Sequence, residues 1–226
     1  LNTSFERLSS GSRINFAKDD AAGQGIVARL SAELKSLNMA SRNAADAQAM
    51  CDTADGAHQE VHNMLLRMRE IAVQAANGTL ETADRKALDE EVTALETEIT
   101  AIADNTTFAG KNLGTSVAVT FQIGADKDDD LDVTFKDFDK TKIGASVAVD
   151  TLTNAANAID LIDKAISLVS TRRGEFGALS NRLSSTIANL DNIAVNIASA
   201  RGRIQDTDFA QETSNLAKSQ IMQQAA

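Results

Sequence analysis

Residues 151–204 read TLTNAANAIDLIDKAISLVSTRRGEFGALSNRLSSTIANLDNIAVNIASARGRI, and this stretch decides the fold. Leu152, Ile159, Ile166, Arg173, Ser180, Ile187, Ala194 and Arg201 recur every seventh residue. A second row holds Ala155, Ile162, Val169, Phe176, Leu183, Leu190, Ile197 and Ile204. A 3-4 spacing held for this long is the seam of a helix packed in coiled-coil fashion on a partner. About 50 helical residues run roughly 75 Å. The chain of 226 residues contains no Pro, so the strongest helix breaker is absent. Gly174 and Gly177 each cost about 1 kcal/mol relative to Ala inside such a helix. They mark either a close neighbour or a local bend.

The partner lies near the other end of the sequence. From about Ala21 to Ala76 a matching pair of rows emerges: Leu37, Ala44, Cys51, His58, Leu65, Ala72, and Ala40, Ala47, Ala54, Val61, Met68, Ala75. The Ala-rich first half predicts a close approach of helix axes. Asn77-Gly78 ends the helix, because both residues tolerate the left-handed conformation of a helix stop. A shorter helix over about Thr82–Ala103 carries Leu88, Val92, Leu95, Ile99 and Ile102, with Thr79 or Thr82 as its cap. The short link before it predicts an antiparallel return.

The period then changes to two. Val117, Val119, Phe121 and Ile123 alternate with polar or small residues, as do Leu131, Val133 and Phe135. These are strands joined as a hairpin by the acidic link 125–130, with Ile143–Val149 a candidate third strand. Residues 1–22 mix Ser, Asn, Gly and charge, and read either as a fraying helix end with an extended connector or as a plain flexible terminus. The predicted fold is mainly α: a long antiparallel coiled-coil-like bundle of three helices forming a rod, with a small β-hairpin excursion. Leu65, Met68, Val169, Phe176, Leu183, Leu190 and Ile197 are its expected core seam. Low aromatic content, 4% with eight Phe and no Trp or Tyr, agrees with thin helix packing rather than a thick core.

Charge and composition remove several function classes. A net charge of −10 disfavours a nucleic-acid binder that works through a basic surface. No apolar run approaches the roughly 20 residues that span a bilayer, so no membrane partner is expected. Leu1–Arg13 has no secretion-signal pattern, and the absence of an initial Met reads as a processed or trimmed product. Cys51 is the sole cysteine, which excludes an intrachain disulfide and a Cys-rich zinc module.

The chemistry-bearing residues are few. His58 and His62 have the i, i+4 spacing of a helical metal pair, but Glu60 lies about 200° around the helix from His58, unlike the zinc-protease pattern. Packed or solvated helical histidines are the simpler reading. Asp126, Asp128, Asp130, Asp132 and Asp137 echo the spacing of a calcium loop, yet Leu131 stands where that loop needs Gly. A solvated acidic turn is expected instead. Cys51, on the Ala seam, reads as a small buried apolar residue rather than a reactive thiol. No catalytic residue, metal or cofactor is expected, and the chain is not read as an enzyme.

Several ordered blocks resemble bacterial flagellin. Glu6-Arg7-Leu8-Ser9-Ser10-Gly11, Arg13-Ile14-Asn15 and Ala17-Lys18-Asp19-Asp20-Ala21-Ala22-Gly23-Gln24 are similar to the N-terminal signature of that family. Ser41-Arg42-Asn43-Ala44, Arg67-Met68-Arg69-Glu70-Ile71-Ala72-Val73-Gln74-Ala75-Ala76-Asn77 and Thr107-Phe108-Ala109-Gly110-Lys111-Asn112-Leu113 continue it. Ser199–Ala210 and Gln220–Ala225 are similar to the C-terminal signature. The resemblance spans nearly everything except roughly residues 115–150.

The resemblance implies a subunit of the bacterial flagellar filament, used for swimming motility. A flagellin-like hook–filament junction protein is the alternative, and the Arg67–Asn77 block favours the filament protein. A soluble helical adaptor or chaperone would show the same helices without polymers. The family implies an inner-core remnant and connector over 1–20, an outer-core helical rod over 21–205 that includes the β excursion 115–150, and a second inner-core remnant over 206–226. The variable outer domains and the outermost terminal segments of the family have no counterpart here, so weak association is expected of this chain. Implied partners are other flagellin subunits, a flagellar export chaperone, the filament cap and host Toll-like receptor 5. Localisation follows as export by the flagellar type III route to the extracellular filament. The family's receptor-contact residues map onto Arg67, Ile71 and Glu98. All three lie off the apolar rows and are expected to face outward on the convex side. In the filament the same face would pack on a neighbouring subunit.

Overall fold

A computed structural model describes residues 2–225; Leu1 and Ala226, the outer limits of the two expected terminal segments, lie outside the described residues. In chain order the elements are α1 (Asn2–Ser10), α2 (Ala21–Ala75), α3 (Thr82–Asn105), β1 (Thr107–Phe108), β2 (Lys111–Asn112), β3 (Val117–Gln122), β4 (Asp130–Phe135), α4 (Lys140–Ile143), α5 (Leu152–Gln205) and α6 (Phe209–Ala225). The chain divides into two compact units. One comprises Leu1–Arg42, Ile123–Asp129 and Thr186–Ala226; the other comprises Asn43–Gln122 and Asp130–Ser185. Both α2 and α5 contribute to each unit.

In the second unit α2 and α5 run antiparallel. Asp55 pairs with Arg173 at 2.8 Å while Arg69, further along α2, pairs with the earlier Asp163 at 2.6 Å. Both predicted rows of α2 are buried here, from Ala44 to Ala75. On α5 the row Ala155, Ile162, Val169, Phe176 and Leu183 is buried, but its predicted companion row is displaced. Leu152 is exposed and Ile159, Ile166 and Arg173 are only partly covered, whereas Ala158, Ala165 and Arg172, one residue earlier, are buried. The reason is a wider interface than a two-helix seam. One apolar cluster gathers Val61, Leu65 and Met68 of α2, Val92 and Ile99 of α3, Phe138 to Val149, and Ile162 and Val169 of α5. Such a cluster needs a broad stripe, with small residues where backbones approach. A Cβ added at Gly174 or Gly177 would meet nothing within 4 Å, so neither glycine admits a neighbour from this chain, and α5 continues through both.

The α2–α3 turn is held by a buried arginine. Arg85 donates Nε to the carbonyl of Ala75 and Nη2 to that of Asn77, both at 2.9 Å, satisfying carbonyls left over at the end of α2. The cap of α3 is Glu81 rather than Thr79 or Thr82, because the Asp84 carboxylate reaches back to the Glu81 N–H at 3.1 Å.

After α3, Ala109 and Gly110 both take positive φ, 48° and 80°, and turn β1 back on β2. Gly114 follows at a close approach: a Cβ there would lie 1.9 Å from the Ala103 carbonyl oxygen. The hairpin β3–β4 has the register Val117↔Phe135 to Gln122↔Asp130, with Leu131, Val133 and Phe135 buried on one face. Phe135 stacks on Phe176 of α5 at 5.8 Å.

The expected third strand is not formed. Ile143 closes α4, and residues 145–149 run extended without a ladder partner. Their alternation is real, since Ala145 and Val149 are buried, but side chains of α3 take their backbone donors. Glu96 Oε1 accepts the Val147 N–H and Asp89 Oδ1 the Val149 N–H, both at 2.7 Å. Buried backbone donors demand acceptors, and two carboxylates serve in place of a strand. Glu96 is therefore buried although it lies off the predicted apolar stripe of α3; its Oε2 also accepts from Lys140 Nζ at 3.2 Å.

In the first unit, Leu37 and Ala40 of α2 pack with Leu190 and Ala194 of α5, with Ile197 partly buried beside them. Ser41 donates to Asp191 at 3.1 Å. The connector after α1 is tied to the end of α5. Arg13 donates its N–H to the Gln205 carbonyl at 2.6 Å and Nη2 to the Ile204 carbonyl at 2.7 Å. The Asp19 carboxylate collects the N–H groups of Phe16 and Asn15, which hold its pKa below the ordinary value. The terminal helices α1 and α6 pack on each other, with Ser4 and Glu212 buried and Arg7 3.8 Å from Glu212. The terminal segments thus supply partners for one another.

Candidate interaction site

Arg67 stands on α2 outside its buried rows, with its side chain half exposed. The guanidinium is nonetheless fixed. Nε and Nη2 donate to Glu91 Oε1 of α3 at 2.9 and 2.7 Å, and Nη1 donates to Glu70 Oε2 at 3.1 Å. Glu91 first, and Glu70 after it, hold the Arg67 pKa above its ordinary value. Glu70 is the i+3 neighbour that helix geometry makes available. Glu91 arrives only because α3 returns alongside α2.

Ile71 departs from expectation. It is 1% exposed and belongs to the cluster with Val92 and Ile99, so it does not face outward with Arg67. Four residues advance about 40° past a full helical turn, which carries position 71 from the surface into the face that α3 covers. Glu98 is exposed on α3, seven residues from Glu91 and hence on the same helix face. Among the described residues Arg67 takes its carboxylate partners from Glu91 and Glu70, not from Glu98. The surface around Arg67 thus holds one pinned guanidinium among carboxylates, and Ile71 belongs to the core instead. Of the core residues expected from the rows, Leu65, Met68, Val169, Phe176, Leu183 and Leu190 are buried and Ile197 is partly covered.

A second set of surface residues escaped the reading of the rows. Leu66 and Val73 on α2, and Leu161 and Leu168 on α5, are 37–49% exposed. Each pair is spaced by one heptad, so each lies along one side of its helix, outside the buried rows. In the first unit Met39, Val195, Phe209, Ile221 and Met222 are exposed by more than half. The signal was present as apolar residues at heptad spacing that belong to neither seam.

The other chemistry-bearing residues are structural. His58 is buried, with Nδ1 2.8 Å from the Ala54 carbonyl. Cys51 is buried, and burial, with Asp52 adding to it, pushes its thiol up to about 11. In the acidic turn Asp129 Oδ2 accepts the Asp126 N–H at 3.2 Å, and Thr120 donates to Asp132. No three His, Cys, Asp or Glu residues converge on a common point among the described residues. No helix among them is long and apolar enough to cross a membrane.

Comparison with known proteins fits this arrangement of paired chain ends. Residues 1–115 match the bacterial flagellin N-terminal helical region and residues 159–226 the bacterial flagellin C-terminal helical region. A flagellin of Halalkalibacterium halodurans is 40% identical over 227 residues, covering 98% of this chain and 84% of the relative. Flagellin A of Vibrio anguillarum is 34% identical over 335 residues, covering 100% of this chain and 88% of the relative, and carries residues with no counterpart here. Among solved structures, Bacillus cereus flagellin matches with a TM-score of 0.57 at 30% identity, covering 71% of this chain and 94% of that one. FliC from Burkholderia pseudomallei has a TM-score of 0.52 at 18% identity over 60% of this chain and 99% of that one, a likeness of fold alone. With matches over both ends and relatives aligned along the whole length, the chain belongs to the bacterial flagellin family.

Proposed function

We propose that this chain is a structural subunit that polymerises with copies of itself into the bacterial flagellar filament and so serves swimming motility. The observation that carries the reading is the family match at both chain ends. The heptad-spaced Leu66, Val73, Leu161 and Leu168, exposed in the single chain, supply apolar surface for neighbouring subunits. A filament needs heterologous contacts that repeat without closing. On this reading 21–205 forms the outer core, and 1–20 with 206–226 forms the inner-core part. Export runs by the flagellar type III route to the extracellular filament, with the export chaperone and cap as further partners. The role is one of assembly rather than catalysis. The experiment is production of the full-length gene product as sole flagellin in a strain lacking its own. Negative-stain images with filaments and restored swimming support the reading; cells without filaments despite secreted protein overturn it.

On the same reading, the unassembled subunit is recognised by host Toll-like receptor 5 through the surface around Arg67 and Glu98. Arg67 offers a guanidinium already oriented by Glu91 and Glu70. An interface arginine of this kind is a frequent hot spot, and truncation costs about 2 kcal/mol or more of binding. In a receptor-reporter assay Arg67→Ala with Glu98→Ala is expected to shift the dose response at least tenfold. An unchanged response from the double variant, or none from the parent, removes this part of the proposal.

A further inference from the structure

We propose that His58 is a proton-operated latch in the second unit: neutral, it seals the contact between α2, α5 and the chain around Phe138, and protonation in mildly acid surroundings releases that contact. The ring is 1% exposed. Its centroid lies 4.4 Å from that of Phe138 and 5.2 Å from that of Phe176. Nδ1 is 2.8 Å from the Ala54 carbonyl oxygen. A carbonyl oxygen only accepts, so Nδ1 carries the ring proton and Nε2 is left as an acceptor. Nε2 is buried and has no hydrogen-bond partner among the described residues. A second proton would therefore place both a charge and an unpaired donor in an aromatic pocket, a costly arrangement.

The charges around the ring do not relieve that cost. On its own helix Asp55 favours the protonated form, but its carboxylate is engaged by Arg173 at 2.8 Å. His62, one turn on, is the other imidazole of the chain. From α5, Arg172 and Arg173 both oppose a positive ring, and Arg172 is itself buried. On the Phe138 segment Asp137 gives its backbone carbonyl to Arg172 at 2.7 Å. Its carboxylate accepts the Asp139 N–H at 3.0 Å. Glu175 of α5 and Lys136 are paired with each other at 3.4 Å.

Burial, the largest influence, lowers the His58 pKa from its ordinary 6.5. The unfolded chain therefore binds the proton more readily than the folded one. Stability from the neutral ring is complete above about pH 6.5 and falls as pH drops below it, by up to tenfold in the folded-to-unfolded ratio per pH unit, until the folded value is reached. Carboxylates such as Asp139 and Asp163, held below their ordinary 3.8, lose their contribution mainly in a lower window.

The test is urea denaturation of the full chain at pH 7.5, 6.5, 5.5 and 4.5, for the parent, His58→Leu and His62→Gln, with NMR titration of the His58 ring in the parent. The expected result is a stability loss approaching tenfold per unit below pH 6.5 in the parent and in His62→Gln, and a clearly shallower profile in His58→Leu between pH 6.5 and 5.5. The His58 ring should hold the neutral Nδ1–H signature on acidification past its ordinary 6.5. An equal slope in His58→Leu overturns the proposal, as does a His58 titration near 6.5 in the folded parent. If His58→Leu does not fold, the parent's ring titration decides alone.

Discussion

Replacing Glu96 by Ala tests how the extended segment after α4 is held. Glu96 is 6% exposed; its two oxygens take the Val147 N–H at 2.7 Å and the Lys140 ammonium at 3.2 Å. The substitution leaves a partly buried backbone donor without an acceptor, at about 1–3 kcal/mol. Lys140 is 28% exposed and returns toward water, so the lost ion pair adds up to about 1 kcal/mol. A total loss of about 1–4 kcal/mol is expected in urea denaturation followed by circular dichroism at pH 7. Glu96→Gln keeps an oxygen for Val147 and turns an amide toward Lys140, so it should lose about half as much. Amide exchange adds a local readout: Val147 should lose protection in Glu96→Ala and keep most of it in Glu96→Gln. A Glu96→Ala change below about 0.5 kcal/mol, the range of ordinary surface substitutions, with Val147 protection intact, would refute the reasoning.

Leu183, fully buried in the α5 row, should lose about 2–5 kcal/mol on truncation to Ala; a denaturant melt within about 0.5 kcal/mol of the parent would show that the row is misplaced. Gly114→Ala forces a Cβ into the Ala103 carbonyl, 1.9 Å away in the present backbone. It should therefore lower the melting temperature by several degrees while leaving helix content nearly unchanged, and an unaltered melt contradicts the close approach. Cys51, buried with its thiol pushed up to about 11, should resist a thiol reagent at pH 8 until denaturant is added, whereas rapid native-state labelling would place it at the surface.

The heptad rows made most of the helical architecture legible. Val169, Phe176 and Leu183 recur at a spacing that only one helix face satisfies, and their burial follows from the period itself. What the period does not encode is how many neighbours share a face. Ile71, Ala158 and Ala165 are buried because a cluster drawn from α2, α3, α5 and the 138–149 chain broadens each stripe, and such third-body contacts leave no mark in a two-row pattern. Polar burial was the other blind spot. Arg85 and Glu96 sit in the interior because they satisfy backbone groups of a helix end and of an unpaired extended segment. That need exists only once the chain has folded. The alternation over 143–149 pointed to a third strand that does not form, because period two does not distinguish a strand partner from two carboxylates. At the Arg67 surface, Arg67 and Glu98 came from the resemblance, while Glu91 required the α2–α3 register.

The central claim, that this chain builds a filament through surfaces left open on its helices, is tested most directly by cryo-electron microscopy of filaments grown from the full-length product. The account predicts a helical array in which Leu66, Val73, Leu161 and Leu168 become buried against neighbouring subunits and Arg67 is covered. Filaments in which these five side chains remain in solvent would contradict it.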